Sequence, residues 1–307
     1  MSLKGRDFLS MADLSSGELA ALLDAADRFK AALSEGRVEA SLRGKLVALI
    51  FQKPSTRTRV SFEAAIHHLG GKPVTLNAQE IQLGRGETIA DTGRVLSRYV
   101  HAIALRTFGH HEVEELAEAA SVPVINALTD LEHPCQILAD LMTVRERFGA
   151  LEGLHLCYLG DGNNVANSLA LGCALAGMRF TAACPRGHHP DAGILKRAEE
   201  MAGPGKVRVE GDPYRAVEGA HVLYTDVWTS MGQEEDVEKK RRLEPYRLTS
   251  ELLSAARPDA VVMHCLPAHR GEEITDEVLD GPRSLVWDQA ENRMHAQAAL
   301  LQSLVGE

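Results

Sequence analysis

Hydrophobic residues along the chain follow two alternating patterns, short continuous apolar runs and longer stretches with helical spacing. The run from Lys45 to Phe51 predicts a buried strand, and residues 55–69 after it predict a helix that ends at Gly70. Leu14–Ala32 has the leucine spacing of an amphipathic helix, and the stretches 88–99, 113–120 and 136–148 predict further helices. Further strands are predicted at 74–76, 102–105, 122–126, 154–159, 179–183, 207–209, 222–224, 261–264 and 285–287.

Strands that alternate with helices predict an α/β fold with parallel sheets, and 307 residues are enough for two domains. We expect each domain to be a mainly parallel sheet flanked by helices. The carboxyl ends of the strands are the usual place for ligands, which predicts a site in the cleft between the domains. The expected boundaries are 1–140 for the first domain, 141–290 for the second, and 291–307 for a C-terminal helix that packs back on the first domain.

Composition narrows the class of protein. The net charge of −10 disfavours a broad nucleic-acid surface, and an anionic substrate would need a local cluster of donors. No apolar run approaches the ~20 residues of a membrane span, and the N-terminus lacks the apolar core of a signal peptide. Five cysteines without a C-x-x-C pair argue against a disulfide framework or a zinc ribbon. A cytoplasmic protein that binds neither nucleic acid nor membrane is therefore expected.

The strongest local motif is the string Ser55-Thr56-Arg57-Thr58-Arg59, which leaves a predicted strand and enters a predicted helix. Backbone N–H groups at a helix N-terminus, hydroxyls and guanidinium groups are all donors for phosphate. The alternative is an ordinary capped helix with two solvated arginines. Arg106, directly after another apolar strand, lies at the same kind of sheet edge.

Two further positions extend this candidate anion site. His133-Pro134-Cys135-Gln136 places His133 and Gln136 near the start of a helix, because proline suits the first helical position. Such a histidine can donate to a substrate carbonyl, although a structural histidine is an equal alternative. Arg293 is expected to begin the last helix, and its guanidinium group can contribute to the anion site of the first domain.

In the second half, Gly160-Asp161-Gly162-Asn163-Asn164 opens a helix after a strand. It matches only part of the dinucleotide-binding G-x-G-x-x-G pattern, because Val165 stands where the third glycine belongs. Asn164 can present its amide to a carboxylate, or the segment is simply a tight turn with a capping asparagine. Asp226, after another strand, can bind a substrate ammonium or belong to an acidic surface loop.

Met263-His264-Cys265-Leu266-Pro267 ends a strand and brings Cys265 to the candidate site. Adjacent residues on a strand point to opposite faces, so His264 is poorly placed as a base for a thiol nucleophile. The histidine pairs elsewhere lack a convincing ligand set, and no metal is expected. The basic run Lys239–Arg242 beside acidic residues is typical of a solvated helix face.

Taken in order, these motifs and the segment Asp226–Gly232 make the chain resemble the ornithine carbamoyltransferases, in the aspartate/ornithine carbamoyltransferase superfamily. The resemblance covers nearly the whole chain. It implies a two-domain α/β trimer in which the first domain binds carbamoyl phosphate and the second binds L-ornithine. No cofactor is implied.

The resemblance assigns catalytic roles to Arg57, Arg106, His133 and Cys265. The residues it implies for carbamoyl phosphate are Ser55, Thr56, Arg57, Thr58, Gln82, Arg106, His133, Gln136, Cys265, Leu266 and Arg293, with Gln82 reaching into a neighbouring subunit's site. For ornithine it implies Asn164, Asp226, Ser230 and Met231. The implied product is citrulline, in arginine biosynthesis.

Several alternatives stay open at this stage. Transfer to putrescine, N-acetylornithine or aspartate uses the same chemistry, although the Ser230-Met231-Gly232 segment favours ornithine and the charge of Asp226 opposes an aspartate acceptor. A nicotinamide-dependent oxidoreductase fits the α/β pattern but not Val165. A non-catalytic module that senses carbamoyl phosphate is the third alternative.

Overall fold

The computed structural model of the chain describes residues 3–229 and 236–306. The chain divides into two compact units, one formed by Met1–Met142 with Asn292–Glu307 and the other by Thr143–Glu291. Two long helices, α5 (Pro134–Phe148) and α12 (Val286–Val305), each contribute residues to both units.

The first unit contains a four-stranded parallel sheet in the order β2-β1-β3-β4. Its strands are β1 (Leu46–Phe51), β2 (Lys72–Asn77), β3 (Ala102–Arg106) and β4 (Val124–Leu128). Its helices, besides α5 and α12, are α1 (Ser16–Ser34), α2 (Thr56–His68), α3 (Ile89–Leu96) and α4 (His110–Ala119). The apolar side chains of β1 and β3 are buried and pack with α4 into one core, as the continuous apolar runs predict.

The second unit contains a five-stranded parallel sheet in the order β7-β6-β5-β8-β9. Its strands are β5 (His155–Leu159), β6 (Arg179–Ala183), β7 (Val207–Glu210), β8 (Val222–Thr225) and β9 (Val261–His264). Its helices are α6 (Asn164–Leu175), α7 (Ala192–Ala202), α8 (Pro213–Val217), α9 (Val237–Leu243), α10 (Ser250–Ala255) and α11 (Asp276–Leu279). The expected α/β class with two parallel sheets flanked by helices is confirmed.

Most predicted strands agree with the structure to within two residues at each end. The strand predicted at 285–287 is wrong, because α12 already begins at Val286. Leu285 donates its backbone N–H to the Val262 carbonyl, so the chain lies briefly beside β9 before it turns into the helix. Arg293 consequently lies inside α12 and does not begin it.

Individual residues determine where α2 begins and ends. The Ser55 hydroxyl accepts a hydrogen bond from the Thr58 N–H at 3.2 Å, which caps the helix. At the other end Gly70 has a φ of +78°, and a Cβ there would lie 2.8 Å from the Cβ of Ala40. Glycine is therefore required both by the left-handed backbone and by the close neighbour.

No helix among the described residues is long and apolar enough to cross a membrane.

His155 makes folding sensitive to acid. It is 3% exposed, its Nε2 lies 2.8 Å from the Thr181 hydroxyl, and burial, reinforced by Arg179 and Arg208, lowers its pKa to about 4. Between its unfolded pKa near 6.5 and a folded pKa of about 4, the unfolded chain binds a proton that the folded chain does not. Stability therefore falls as pH falls through this window, by on the order of 3 kcal/mol at its lower end.

We expect the variant His155→Gln to show a shallower loss of melting temperature between pH 7 and pH 4.5 than the wild type. The matched control is His68→Gln, since His68 is exposed on α2. Parallel pH profiles for the wild type and His155→Gln would contradict the assignment. Thermal unfolding followed by circular dichroism measures both profiles.

Candidate active site

The strand order of the first sheet brings two predicted segments together. The chain proceeds from β1 outward to β2, and then returns to the other side of β1 for β3 and β4, so β1 and β3 are neighbours at a switch point. Phe51 and Arg106, at the carboxyl ends of these strands, are register partners. Ligands in open α/β sheets bind at such points. Here the N-terminus of α2 and the guanidinium of Arg106 meet, and Arg106 Nη1 donates to the Thr58 hydroxyl at 3.3 Å.

His133 lies within the electric field of three arginines. It is 5% exposed, and burial together with the positive charges of Arg293, Arg106 and Arg57 holds its pKa well below the usual range. The imidazole is therefore neutral at physiological pH. A neutral imidazole donates through one nitrogen only, while the guanidinium groups supply the positive charge that an anion requires.

Gln136 and Arg293 join this group through a direct contact. Arg293 Nη1 donates to Gln136 Oε1, and Gln136 Nε2 donates to Asp140 Oδ1 at 2.7 Å. Gln136 and Arg293 are both almost fully buried. The structure thus brings six predicted residues, all buried except the half-buried Arg57, into one polar cluster, called the arginine cluster below: Arg57, Thr58, Arg106, His133, Gln136 and Arg293.

The remaining predicted residues of this unit lie beside the cluster or away from it. Ser55 caps α2 and Thr56 is its first, exposed residue. Gln82 is exposed at the start of the short 3₁₀ helix Gln82–Arg85. Cys135, two residues after His133, is buried in the core, where burial raises its pKa to about 12.

The second sheet has a switch point of the same kind, between β5 and β8, where Leu159 and Thr225 are register partners. Asn163, after β5, caps α6 by accepting from the Val165 and Ala166 N–H groups. Its Nδ2 donates to Asp226 Oδ2 at 2.6 Å. Asn163 therefore fixes the predicted ammonium-binding carboxylate through the same side chain that starts the helix.

Sequence reasoning chose Asn164 and did not assign Asn163 a role. Asn164 is the first residue of α6 and is half-buried. An asparagine immediately before a predicted helix was a signal for the cap at Asn163, but its contact with Asp226, 63 residues away, has no local signature.

Gly162 is explained by packing. A Cβ at Gly162 would lie 2.2 Å from the backbone nitrogen of Pro190, so the second glycine of the partial dinucleotide pattern admits the neighbouring loop. Val165, at the third position, is buried in α6. The dinucleotide-binding interpretation loses its main support.

Cys265 lies against Asp226. Its Sγ donates to Asp226 Oδ1 at 3.0 Å, so both carboxylate oxygens of Asp226 accept a hydrogen bond within this unit. Asp226 is 6% exposed and Cys265 is half-buried. The two residues form one polar group at the carboxyl ends of β8 and β9.

His264 shapes the turn that follows Cys265. Its Nδ1 accepts from the Leu266 N–H at 2.8 Å, so its proton resides on Nε2, which donates to Glu273 Oε1 at 3.1 Å. Leu266 has a φ of +60°, a strained conformation for leucine that is typical of functional turns. Sequence reasoning missed Glu273 because it is fully buried and reaches His264 only through the fold.

Asp226, His264 and Cys265 also lie close enough together for their donor atoms to hold a metal ion. Both ring nitrogens of His264, however, are engaged in hydrogen bonds with Leu266 and Glu273. A metal would have to displace one of these partners, and we assign no metal here.

The basic run at 239–242 is only partly the solvated face that its composition indicates. Arg241 and Arg242 are exposed and pair with Glu238. Lys239 is 16% exposed and its Nζ lies 2.7 Å from Asp161 Oδ2. The predicted ornithine residues Ser230 and Met231 lie outside the described residues.

Comparisons with known proteins show the family to which the chain belongs. Residues 6–146 match the family model of the aspartate/ornithine carbamoyltransferase carbamoyl-P binding domain, and residues 152–304 match that of the Asp/Orn binding domain. The chain belongs to the aspartate/ornithine carbamoyltransferase family. The resemblance drawn from its motifs is confirmed.

Two similar members of the family are named as ornithine carbamoyltransferases. The ornithine carbamoyltransferase of Gloeobacter violaceus is 54% identical over 303 residues, which are 98% of this chain and 96% of that protein. The anabolic ornithine carbamoyltransferase of Pyrococcus furiosus is 52% identical over 309 residues, 100% of this chain and 98% of that protein. A solved ornithine carbamoyltransferase structure from Pyrococcus furiosus superposes with a TM-score of 0.96 at 51% identity and covers 99% of this chain and 98% of its own.

The two candidate sites lie in different matched regions, except that Arg293 of the arginine cluster lies within residues 152–304. The arginine cluster includes residues of the region matched to the carbamoyl-P binding domain, and the Asp226–Cys265 group lies in the region matched to the Asp/Orn binding domain. Leu266 and Cys265, which sequence reasoning assigned to carbamoyl phosphate, belong to the second unit.

Proposed function

We propose that the chain is an ornithine carbamoyltransferase, which transfers the carbamoyl group of carbamoyl phosphate to the δ-amino group of L-ornithine and releases L-citrulline and phosphate. The arginine cluster carries this proposal, because the positive charges of Arg57, Arg106 and Arg293 act together on a neutral buried histidine in the region that matches the carbamoyl-P binding domain. The ornithine carbamoyltransferases of Gloeobacter violaceus and Pyrococcus furiosus, more than 50% identical over at least 98% of this chain, support the acceptor.

Within this proposal, Arg57 and Arg106 bind the phosphate of carbamoyl phosphate together with the donors at the N-terminus of α2, Ser55, Thr56 and Thr58. Arg106, Thr58 and His133 donate to the carbonyl oxygen as negative charge develops there. Gln136 and the Leu266 carbonyl orient the carbamoyl NH2 group. Arg293, Cys265 and Gln82 complete the proposed site, Gln82 from a neighbouring copy of the chain.

The proposed ornithine site uses Asp226 for the α-ammonium, with Asn164, Ser230 and Met231 near the α-carboxylate. The sign of the charge supports this choice, since the carboxylate of Asp226 attracts an ammonium and repels the side chain of an aspartate acceptor. Putrescine has no α-carboxylate, and N-acetylornithine has no α-ammonium.

The reaction proceeds by addition and elimination. The neutral δ-nitrogen attacks the carbamoyl carbon and forms a C–N bond, and the carbonyl electrons move to oxygen to give a tetrahedral intermediate. The C–O bond to phosphate then breaks, phosphate departs with the electron pair, and the carbonyl re-forms. The nitrogen loses one proton, for which the departing phosphate is a sufficient acceptor.

The experiment that tests the proposal is formation of ureido product from carbamoyl phosphate with L-ornithine, putrescine, N-acetylornithine or aspartate at equal concentration. We expect strong preference for ornithine. Preference for another acceptor would overturn the assignment of Asp226 and its neighbours, and no product from any acceptor would support a binding module instead.

Asn163 provides a matched test of the Asp226 site. The variant Asn163→Asp keeps the cap of α6, since aspartate caps as well as asparagine, but replaces the donor to Asp226 by a second carboxylate. We expect KM for ornithine to rise roughly tenfold while KM for carbamoyl phosphate stays near wild type. Equal changes in both KM values, measured by steady-state kinetics, would show that the contact does not serve ornithine.

We also infer a cytoplasmic homotrimer. The five cysteines are all free thiols, which fits a reducing compartment, and the exposed position of Gln82 fits a role in a neighbouring copy. Sedimentation equilibrium should give three times the 33.3-kDa mass of the chain, or a multiple of it.

A further inference from the structure

Lys53 is a buried cation next to the arginine cluster. Its side chain is 8% exposed, yet it ends in an ammonium group that contacts the carboxylate of Asp130. The same Nζ lies 4.1 Å from the centroid of the Phe108 ring. Burying a lysine is unfavourable unless its charge is paired, and here a carboxylate and an aromatic face both compensate it.

The three partners come from three different loops of the first unit. Lys53 follows β1, Phe108 follows β3 and Asp130 follows β4. Backbone hydrogen bonds join the same loops, since the Gln52 N–H donates to the Arg106 carbonyl at 2.9 Å and the Asp130 N–H donates to the Phe108 carbonyl at 2.8 Å. The side chain of Lys53 therefore links loops that backbone hydrogen bonds already join.

Each of these loops contains or adjoins a member of the arginine cluster, a few residues away. Arg57 follows Lys53 on the β1 side, Arg106 precedes Phe108, and His133 follows Asp130. A displacement of one loop relative to another changes the distances between the phosphate donors and the carbonyl donors. Catalysis is sensitive to such changes, because misplacement by about 1 Å can lower a rate by roughly 100-fold.

We propose that Lys53 is a positioning residue for the carbamoyl phosphate site. Its ammonium, held between Asp130 and Phe108, sets the spacing of the loops that adjoin Arg57 and Arg106 and contain His133. The inference rests on the proposed carbamoyl transfer. Lys53 acts through the loops and needs no contact with substrate. Its removal should therefore lower kcat more than it raises KM for carbamoyl phosphate.

The unequal exposure of the ion pair makes the test specific. Asp130 has a side chain that is 64% exposed, so the variant Lys53→Met leaves a solvated carboxylate and fills the buried space with a side chain of similar length. Asp130→Asn instead leaves a buried ammonium without its carboxylate. We expect Asp130→Asn to lower the melting temperature more than Lys53→Met does, and the double variant to resemble Lys53→Met alone.

A second side-chain link between the β1 and β3 loops should keep these variants folded. Glu112, in the first turn of α4, accepts from Gln52 Nε2 at 3.2 Å and from the Thr107 hydroxyl, so it links the β1 and β3 loops independently of Lys53. The matched control is Lys72→Met, because Lys72 is exposed on β2 of the same sheet.

The experiment compares the full-length wild type, Lys53→Met, Lys53→Arg and Lys72→Met in citrulline formation, at a temperature well below every melting point. We expect Lys53→Met to lose roughly 10- to 100-fold in kcat with KM for carbamoyl phosphate within threefold of wild type. Lys53→Arg, which keeps a cation for Asp130 and Phe108, should recover most of that loss. Lys72→Met should be unchanged.

Three results would overturn the positioning role. One is wild-type kcat in folded Lys53→Met, and another is a loss confined to KM, which would mean that Lys53 binds the phosphate directly. The third is a loss that Lys53→Arg does not reduce. If Lys53→Met does not fold, Phe108→Leu, which keeps the ion pair and removes the ring, must lower kcat at least threefold. Absence of citrulline from the wild type would instead overturn the proposed function.

Discussion

The variant Arg57→Ala is expected to lose roughly 100- to 1,000-fold in kcat/KM for carbamoyl phosphate, the cost of removing one preorganised donor from an anionic transition state. Arg57 is half-buried in the first turn of α2 and contributes to the positive field that keeps His133 neutral. Its guanidinium is proposed to neutralise the phosphate, whose negative charge increases as the C–O bond breaks. The loss should therefore include kcat as well as KM.

Arg59→Ala is the matched control, because it removes the same charge two residues further along the same helix. Arg59 is exposed and pairs with Glu63 at 3.0 Å, and exposed pairs of this kind contribute little. We expect its kinetics to stay within twofold of wild type. Similar losses in the two variants would mean that general charge, and not the position of Arg57, governs carbamoyl phosphate use; steady-state kinetics at varied ionic strength separates the two cases.

The sheets were predictable because strands covered on both faces are apolar without interruption. Lys45–Phe51 reads as a strand for this reason, and β1 occupies nearly the same residues. The same rule failed at 285–287, where leucine, valine and tryptophan suit a strand locally. Pairing of that segment with β9 ends after Leu285, and only the tertiary structure determines that Val286 begins a helix.

The candidate site was predictable where a chemically distinctive residue ends a strand or directly follows it. Arg106 and Asp226 meet this condition, and parallel topology then places each at a switch point of its own sheet. Residues that act on these groups from elsewhere were not predictable. Asn163 and Glu273 were missed because their roles depend on contacts with Asp226 and His264 that no local pattern encodes.

A different variant, Asp226→Asn, should abolish recognition of the α-ammonium of ornithine. The carboxylate of Asp226 is 6% exposed and is held by Asn163 and Cys265, so it is oriented before substrate binds. A charge-assisted hydrogen bond from an ammonium to such a carboxylate is strong, and we expect kcat/KM for L-ornithine to fall roughly 100-fold. KM for carbamoyl phosphate should change little.

The decisive measurement compares L-ornithine with 5-aminopentanoate, which keeps the δ-amine and the carboxylate but lacks the α-ammonium. Wild type should strongly prefer ornithine, whereas Asp226→Asn should use both acceptors about equally poorly, because the group that distinguishes them has lost its partner. Asp212→Asn is the control, since it removes a carboxylate from the same unit and still caps α8. If Asp226→Asn retained the wild-type preference, the ammonium would bind elsewhere, and Asp226 would serve only to hold Cys265.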